Sequence, residues 1–272
     1  MLKDITLGQF FPGNSLLHKT DPRIKIILLL VYLVAVIAAD SSASFAAVFV
    51  LTVSLIVLSK IPVRTVLKNM KPLLFIFVFT GIINLFFTGG EHLIFGWKFI
   101  KIYREGVVFA VFMVLRLACL VSGSFVLLTY TTSPLDMTDA IERLLSPLKF
   151  FKIHVHEFAM MMTIALRFIP TLIEETGKIM SAQKARGADL DSGGLLKRAK
   201  ALIPILIPLF VSAFRRADEL AEAMECRCYR GGEGRTRMKQ MKSCFRDYAV
   251  LLVMTGICVA IFFLNGIEIL PI

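Results

Sequence analysis

The chain has 272 residues, of which 57% are hydrophobic and 23 are Phe, and its mean hydropathy is +0.75. That is too apolar for an ordinary soluble domain. A formal charge of +11 must therefore be segregated from the apolar residues, and in a membrane protein such an excess marks cytoplasmic loops. The basic stretch has neither interleaved aromatics nor zinc-finger spacing, which argues against a nucleic-acid partner.

Residues 1–23 carry turn residues at Pro12-Gly13-Asn14 and at Asp21-Pro22, which predicts a structured cytoplasmic lead-in without a helix. The same stretch lacks the apolar core of a cleavable signal peptide. A first span is predicted over residues 24–39, with Lys25 snorkelling from its end, then a turn at Asp40-Ser41-Ser42 and a second span over residues 44–58. Both fall short of the ~20 residues a span usually needs, so flanking residues or local thinning must help, and a re-entrant pair is the alternative. Lys60, Arg64, Lys68 and Lys71 form a basic amphipathic connector to a third span, residues 72–88. Residues 89–104 make an outer loop with Trp97 and Tyr103 as interface anchors. The fourth span, residues 107–129, contains Arg116 near its middle, which is costly unless paired, near water or facing protein. The fifth span covers residues 248–264.

Of the 31 Lys and Arg residues, the outer loops hold only Lys98, Lys101 and Arg104, and Arg116 lies inside a span. The rest fall on one side, which orients the chain with its N-terminus in the cytoplasm and its C-terminus outside the cell membrane. The fold class is therefore an all-α integral membrane protein of about five spans with long amphipathic cytoplasmic helices. Its regions are a lead-in with four spans (1–130), a cytoplasmic region of long helices (131–245) and a last span (246–272). The five cysteines are an odd number without framework spacing, which suits a reducing compartment.

In the basic region Ser133 is a natural N-cap with Pro134 at the first helical position of a short helix over residues 135–145. A long helix over residues 156–186 presents a stripe that includes Phe158, Met161, Met162, Phe168 and Met180, with a kink at Pro170 and Gly187 as its capping residue. A second, residues 195–227, presents Leu206, Phe210, Phe214, Leu220 and Met224. Its residues 201–214 are apolar almost all round but too short to span, so they are predicted to lie at the membrane surface or buried against other helices. Each long helix ends in an arginine between small residues, Ala185-Arg186-Gly187 and Cys226-Arg227-Cys228. Either arginine can cap its own helix at the negative end of the dipole. Their duplication points to a second use, in which each guanidinium enters a groove and forms a bidentate pair with a carboxylate.

Other motifs are weaker. Cys226-x-Cys228 has no third or fourth ligand nearby for a closed metal site, and His154-x-His156 lacks the i, i+4 spacing of a zinc helix and reads as a polar elbow. Gly231-Gly232-Glu233-Gly234 lacks the Lys-Ser/Thr ending of a phosphate loop. An intramembrane enzyme would need acidic clusters or paired His at a membrane face. A self-sufficient carrier would need recurring polar positions, whereas the spans offer little besides Arg116, Asn84 and Ser122-Gly123-Ser124.

Over most of its length the chain resembles the transmembrane (T) component of energy-coupling factor transporters, the EcfT/CbiQ family. The likeness rests on residues 8–23 (GQFFPGNSLLHKTDPR), on Thr131-Thr132-Ser133-Pro134, on Ala185-Arg186-Gly187 and on residues 223–236 (AMECRCYRGGEGRT), which look like the shared, multi-partner version. The resemblance implies coupling helices whose tips dock on two ABC ATPase subunits, A and A', which bind ATP and Mg while this chain carries no cofactor and no catalytic residue. It implies docking through Ala185, Arg186 and Gly187 and through Cys226, Arg227 and Cys228, where the two cysteines stand in place of the family's frequent Ala and Gly. It also implies one small membrane subunit that binds the substrate (the S component), a vitamin or micronutrient. Candidate contacts to that subunit are Met160, Met161, Met162, Phe168, Met180, Phe210 and Phe214. Methionine surfaces repack for interchangeable partners, and ordinary core packing accounts for them as well. Arg116 becomes a structural charge tethering helices, since the substrate would travel with the partner. A dedicated cobalt, nickel or biotin system is the alternative to a shared vitamin system.

Overall fold

The computed structural model describes residues 10–89, 92–97, 100–151, 154–188, 194–232 and 243–266. In chain order the helices are α1 (Leu16–Lys19), α2 (Pro22–Ile37), α3 (Ser42–Ser59), α4 (Val63–Met70), α5 (Leu74–Phe87), α6 (Arg104–Ser124), α7 (Pro134–Leu144), α8 (Val155–Ala185), α9 (Leu195–Cys226) and α10 (Phe245–Leu264). A two-stranded antiparallel ribbon, β1 (Leu93–Trp97) and β2 (Ile100–Tyr103), stands between α5 and α6. The described residues form two compact units, one of residues 10–137 with 243–266 and one of residues 138–232.

Among the described residues five helical runs are long and apolar enough to cross a membrane: Ser42–Ser59, Val63–Phe87, Arg104–Thr129, Val155–Ala185 and Phe245–Leu264. Apart from the small ribbon, the fold is that of an all-α membrane protein. α8 meets the criterion least well, since it carries Glu157, Arg167, Glu174, Glu175, Lys178 and Lys184. α2 misses it by length alone, with 16 residues or about 24 Å. It nevertheless packs along α10 and α6 within the apolar unit.

The lead-in departs from expectation. It contains a helical turn, α1, because Ser15 Oγ accepts the His18 N–H (3.3 Å) and His18 Nε2 bonds the Phe11 carbonyl (2.8 Å). Asp21-Pro22 is a helix start and not a turn. The Asp21 carboxylate accepts the Arg23 N–H (3.0 Å), and Pro22 occupies a first-turn position that needs no donor.

Lys25 does not snorkel. Its side chain is buried, and Nζ donates to the Thr131 carbonyl (2.8 Å) and to Thr132 Oγ1 (3.2 Å) where the chain leaves α6. Asp136, Asp21 and Asp247 add their negative field, and the last two are themselves buried. The same corner takes in the lead-in, where the Phe11 N–H donates to the Tyr130 carbonyl (3.0 Å). Ser133 caps α7 as predicted, accepting the Asp136 N–H at 3.1 Å.

The core of this unit is centred on Tyr32. Its hydroxyl donates to the Cys119 carbonyl (2.8 Å) and lies 2.7 Å from Thr52 Oγ1. The ring lies on Gly123, where a Cβ would come within 2.3 Å of it, so α6 can approach α2 here only without a side chain. A π-helical turn, Phe125–Thr129, ends α6. On the other side Asn265 holds the α2–α3 turn. Its Oδ1 accepts the Asp40 N–H (3.1 Å), its Nδ2 donates to the Ala38 carbonyl, and Ser44 Oγ donates to the Ile261 carbonyl (3.1 Å). The described parts of residues 92–103, predicted as an outer loop, pair as the ribbon, with Phe95 opposite Ile102 and Gly96 opposite Lys101. The side chain of Trp97 lies outside the described part, and Tyr103 is half-buried.

In the second unit α8 and α9 pack antiparallel. Gln183 Nε2 donates to the Pro204 carbonyl (3.3 Å), Glu175 meets Ser212 and Arg216, and Ile164 and Phe168 face Leu220 and Met224. Both helices run continuously through their prolines. Of residues 201–214 only Ile205 is buried, so burial of this apolar stretch against other helices of the described chain is not observed. Among the described elements α9 packs mainly on α8, and one neighbour cannot cover residues 201–214, which are apolar almost all round.

Two outcomes test the core. Lys25→Met leaves the surrounding carboxylates without their cation and should lower stability by about 3–5 kcal/mol, read as an earlier thermal transition of the detergent-solubilised protein. Gly123→Ala should cost about 1–3 kcal/mol by forcing α6 away from Tyr32.

Candidate functional site: two arginine-tipped helix ends

The two arginine tips have the same backbone. At the end of α8 the Gly187 N–H donates to the Lys184 carbonyl (3.0 Å) and the Ala188 N–H to that of Gln183 (3.0 Å), with Gly187 at φ +85°. At the end of α9 the Cys228 N–H donates to the Glu225 carbonyl (2.8 Å) and the Tyr229 N–H to that of Met224 (3.1 Å), with Cys228 at φ +54°. Both are Schellman closures, in which a left-handed residue lets the chain turn back over the last carbonyls. Gly187 does so at no steric cost. For Cys228 the same conformation is worth about 1–2 kcal/mol against it, and its side chain gives no hint of the role.

These backbone bonds close the helix ends without help from the guanidinium groups. All six tip residues are exposed, and among the described residues neither Arg186 nor Arg227 has a carboxylate within ion-pair distance. The antiparallel packing separates the tips. Arg227 lies abreast of Ile164, near the start of α8, so the arginines stand roughly 30 Å apart along the helix pair. Beside Arg227 a groove of about 360 Å³ is lined by Ile164, Arg167, Phe168, Leu220, Ala223 and Met224. Its apolar floor and two guanidinium groups suit an acidic side chain entering with an apolar neighbour.

Midway between the tips a polar pin joins the helices. Arg216 Nη2 donates to Glu175 Oε2 at 2.6 Å, and Ser212 Oγ donates to Glu175 Oε1. Each Glu175 carboxylate oxygen thus has its own donor, the Ser212 hydroxyl on one and the Arg216 guanidinium on the other. Neither Glu175 nor Ser212 stands out in the sequence. The only signal is that Ser212 and Arg216 share one face of α9 at i, i+4 spacing.

The other candidate residues are dispersed. Met161, Met162, Phe210 and Phe214 are exposed, while Met160, Phe168 and Met180 are half-buried. Met160–162 and Met180 lie roughly 30 Å apart along α8, so they form no single patch. In the first turn of α8, and not at an elbow before it, His156 Nδ1 bonds Glu142 Oε1 (2.9 Å), and the ring packs on Gly232. In the other unit Arg116 Nη2 donates to the Ala39 carbonyl and to Asp40 Oδ1 (3.3 Å), and its guanidinium lies 4.8 Å from the Phe45 ring centroid.

The model of the CbiQ family, described as a cobalt transport protein, matches residues 13–238. Curated relatives bear the name energy-coupling factor transporter transmembrane protein EcfT. That of Ruminiclostridium cellulolyticum is 56% identical over 95% of each chain. That of Clostridium kluyveri is 52% identical over 96% of this chain and 97% of its own. The Bacillus subtilis protein is 42% identical over 98% of this chain and the whole of its own.

The strained cap generates a prediction. Cys228→Gly should slow hydrogen exchange of the amides at positions 228 and 229 roughly fivefold, for about 1 kcal/mol of relieved strain. Gly187→Ala should speed exchange at positions 187 and 188 by a similar factor, as read by mass spectrometry of the last-turn peptides.

Proposed function

The chain belongs to the CbiQ family, the transmembrane components of energy-coupling factor transporters, and from that premise we propose that it is the scaffold linking two ABC ATPases to a small substrate-binding membrane subunit. Residues 131–245 are its coupling region, with ATP and Mg bound and hydrolysed in the partner subunits. The observation that carries this reading is the pair of identically capped, exposed arginine tips at opposite ends of one antiparallel helix pair. Each tip enters a groove on one ATPase, where the guanidinium pairs with a carboxylate. When ATP draws the two ATPases together, the tips follow, and the helix pair tilts the substrate-binding subunit. The exposed Met161 and Met162 on α8, and separately Phe210 and Phe214 on α9, support apolar contacts that a membrane partner covers.

The distribution of basic residues supports a cytoplasmic N-terminus and an outward C-terminus. Substrate recognition belongs to the partner, with a vitamin or related micronutrient as cargo. Residues 223–236, which look like the shared version of the family, favour a scaffold that serves several substrate-binding subunits. The cobalt description of the family model keeps a dedicated metal-uptake system as the second reading.

The test is co-purification in detergent of tagged protein, wild type against Arg186→Glu, Arg227→Glu and the double variant. Loss of one buried charge pair costs about 2–5 kcal/mol, so each single change should weaken ATPase recovery by an order of magnitude or more. The double change should abolish it, together with uptake by cells. Normal uptake by the double variant would sink the docking mechanism.

A further inference from the structure

We infer that Glu175 and Arg216, with Ser212, are positioning residues that clamp the two coupling helices at a pivot midway between the docking tips. The inference rests on the docking function proposed above.

Laying one tip on the other, Arg186 on Arg227, places Glu175 at the position of Arg216. Each stands 11 positions before its own tip arginine (175 to 186, 216 to 227). In an antiparallel pair of equivalent helices, equivalent positions meet only at the local two-fold axis. Glu175 and Arg216 do meet, at 2.6 Å, so the ion pair marks that axis. A separate contact agrees. The superposition makes Gln183 equivalent to Met224 and Ile205 to Ile164. Met224 and Ile164 line the groove at one end, and Gln183 bonds the carbonyl of Pro204, the neighbour of Ile205, at the other.

The chemistry of the axis follows from its symmetry. Identical residues there would face themselves, and two glutamates or two arginines would repel. One of each turns the same geometry into a charge-assisted bond, and the Ser212 hydroxyl satisfies the second carboxylate oxygen. Each arm from the axis to its tip is about 16 Å, so a displacement at one tip is returned undiminished at the other if the crossing is held. Among the described residues of α8 and α9 only Val155, Ala159 and Ile205 are buried, so packing holds the crossing weakly and a specific bond adds to it.

The decisive comparison is Glu175→Gln, Arg216→Gln and the exchanged pair Glu175→Arg/Arg216→Glu, which preserves the bond about a two-fold axis. Spin labels replace the exposed Ser181 and Glu222, which lie outside the groove, in a background with Cys244→Ser, Cys226→Ala and Cys228→Gly, the last two giving the second tip the Ala-Arg-Gly of the first. Tip-to-tip distances are measured by electron–electron resonance, on the chain in detergent and on the complex with its partners, alongside substrate taken up per ATP hydrolysed. Each single change should at least double the width of the distance distribution and cut the transport-to-hydrolysis ratio fivefold or more, with both ATPases still bound. The exchanged pair should restore both. Unchanged distances in the single variants, or a broad distribution that the exchanged pair does not narrow, would overturn the pivot. Failure of the docking reading looks different: the wild-type chain then retains no ATPase, while its distances still decide the clamp.

Discussion

The membrane unit is built around a cation that has no route to water. Lys25 sits at the first turn of α2, and its ammonium is spent on the carbonyl of Thr131 and the hydroxyl of Thr132. Burying an ammonium costs several kcal/mol and is tolerated only where opposite charge and hydrogen bonds replace the lost water. Here the replacements come from distant parts of the chain: Asp21 from the lead-in, Asp136 from α7 and Asp247 from α10. None of these segments can drift without exposing a charge to an apolar environment. The charge therefore fixes the point at which the chain leaves α6 and starts α7.

The two units divide their tasks in a way that follows from their packing. One has a dense interior in which Tyr32 is fully enclosed and bonds to α3 and α6 at once. In the other, among the described residues of α8 and α9, only Val155, Ala159 and Ile205 are buried. A pair of this kind gains little from hydrophobic burial, and its order must come from end closures, from the pin at Glu175 and from partners. The tips are the best defined part of it, since their closures are made within the backbone and leave the arginine side chains unspent.

Much of this was legible in the sequence, and what was not has physical causes. Ser133-Pro134 and Gly187 announced a helix start and a helix end because a hydroxyl cap and a glycine at positive φ act through their own backbone. The tip at Arg227 was legible only as a duplicate of the first, since nothing about a cysteine announces a left-handed conformation. Asp21-Pro22 is ambiguous by nature, as the same pair opens a turn or a helix, and the outcome depends on whether the Arg23 N–H turns back to Asp21. Lys25 was misjudged because the direction of a long side chain is set by the nearest acceptors, and these lie over a hundred residues away in sequence. Gly123 and the Glu175–Arg216 pair share that difficulty. Each is defined by which helix arrives opposite, which periodicity within one helix does not encode.

Arg116 illustrates how depth in a membrane depends on the reference. Counted along the long α6 run, Arg104–Thr129, it stands at the middle, where a charge is expensive. Counted from its partners it does not. The residues level with it are Ala39 and Asp40, in the turn where α2 ends and α3 begins, and Asn265 closes the end of α10 against the same turn. Three helices thus finish at the level of Arg116 while α6 continues beyond them beside α5. Asp40 is exposed there, so the level is a polar shelf set into one side of the bundle. The short α2, about 24 Å against an apolar core of about 30 Å, and the charge within α6 then have one explanation. The helix ends are stepped, and Arg116 ties the α2–α3 turn to the longer α6 run that passes it.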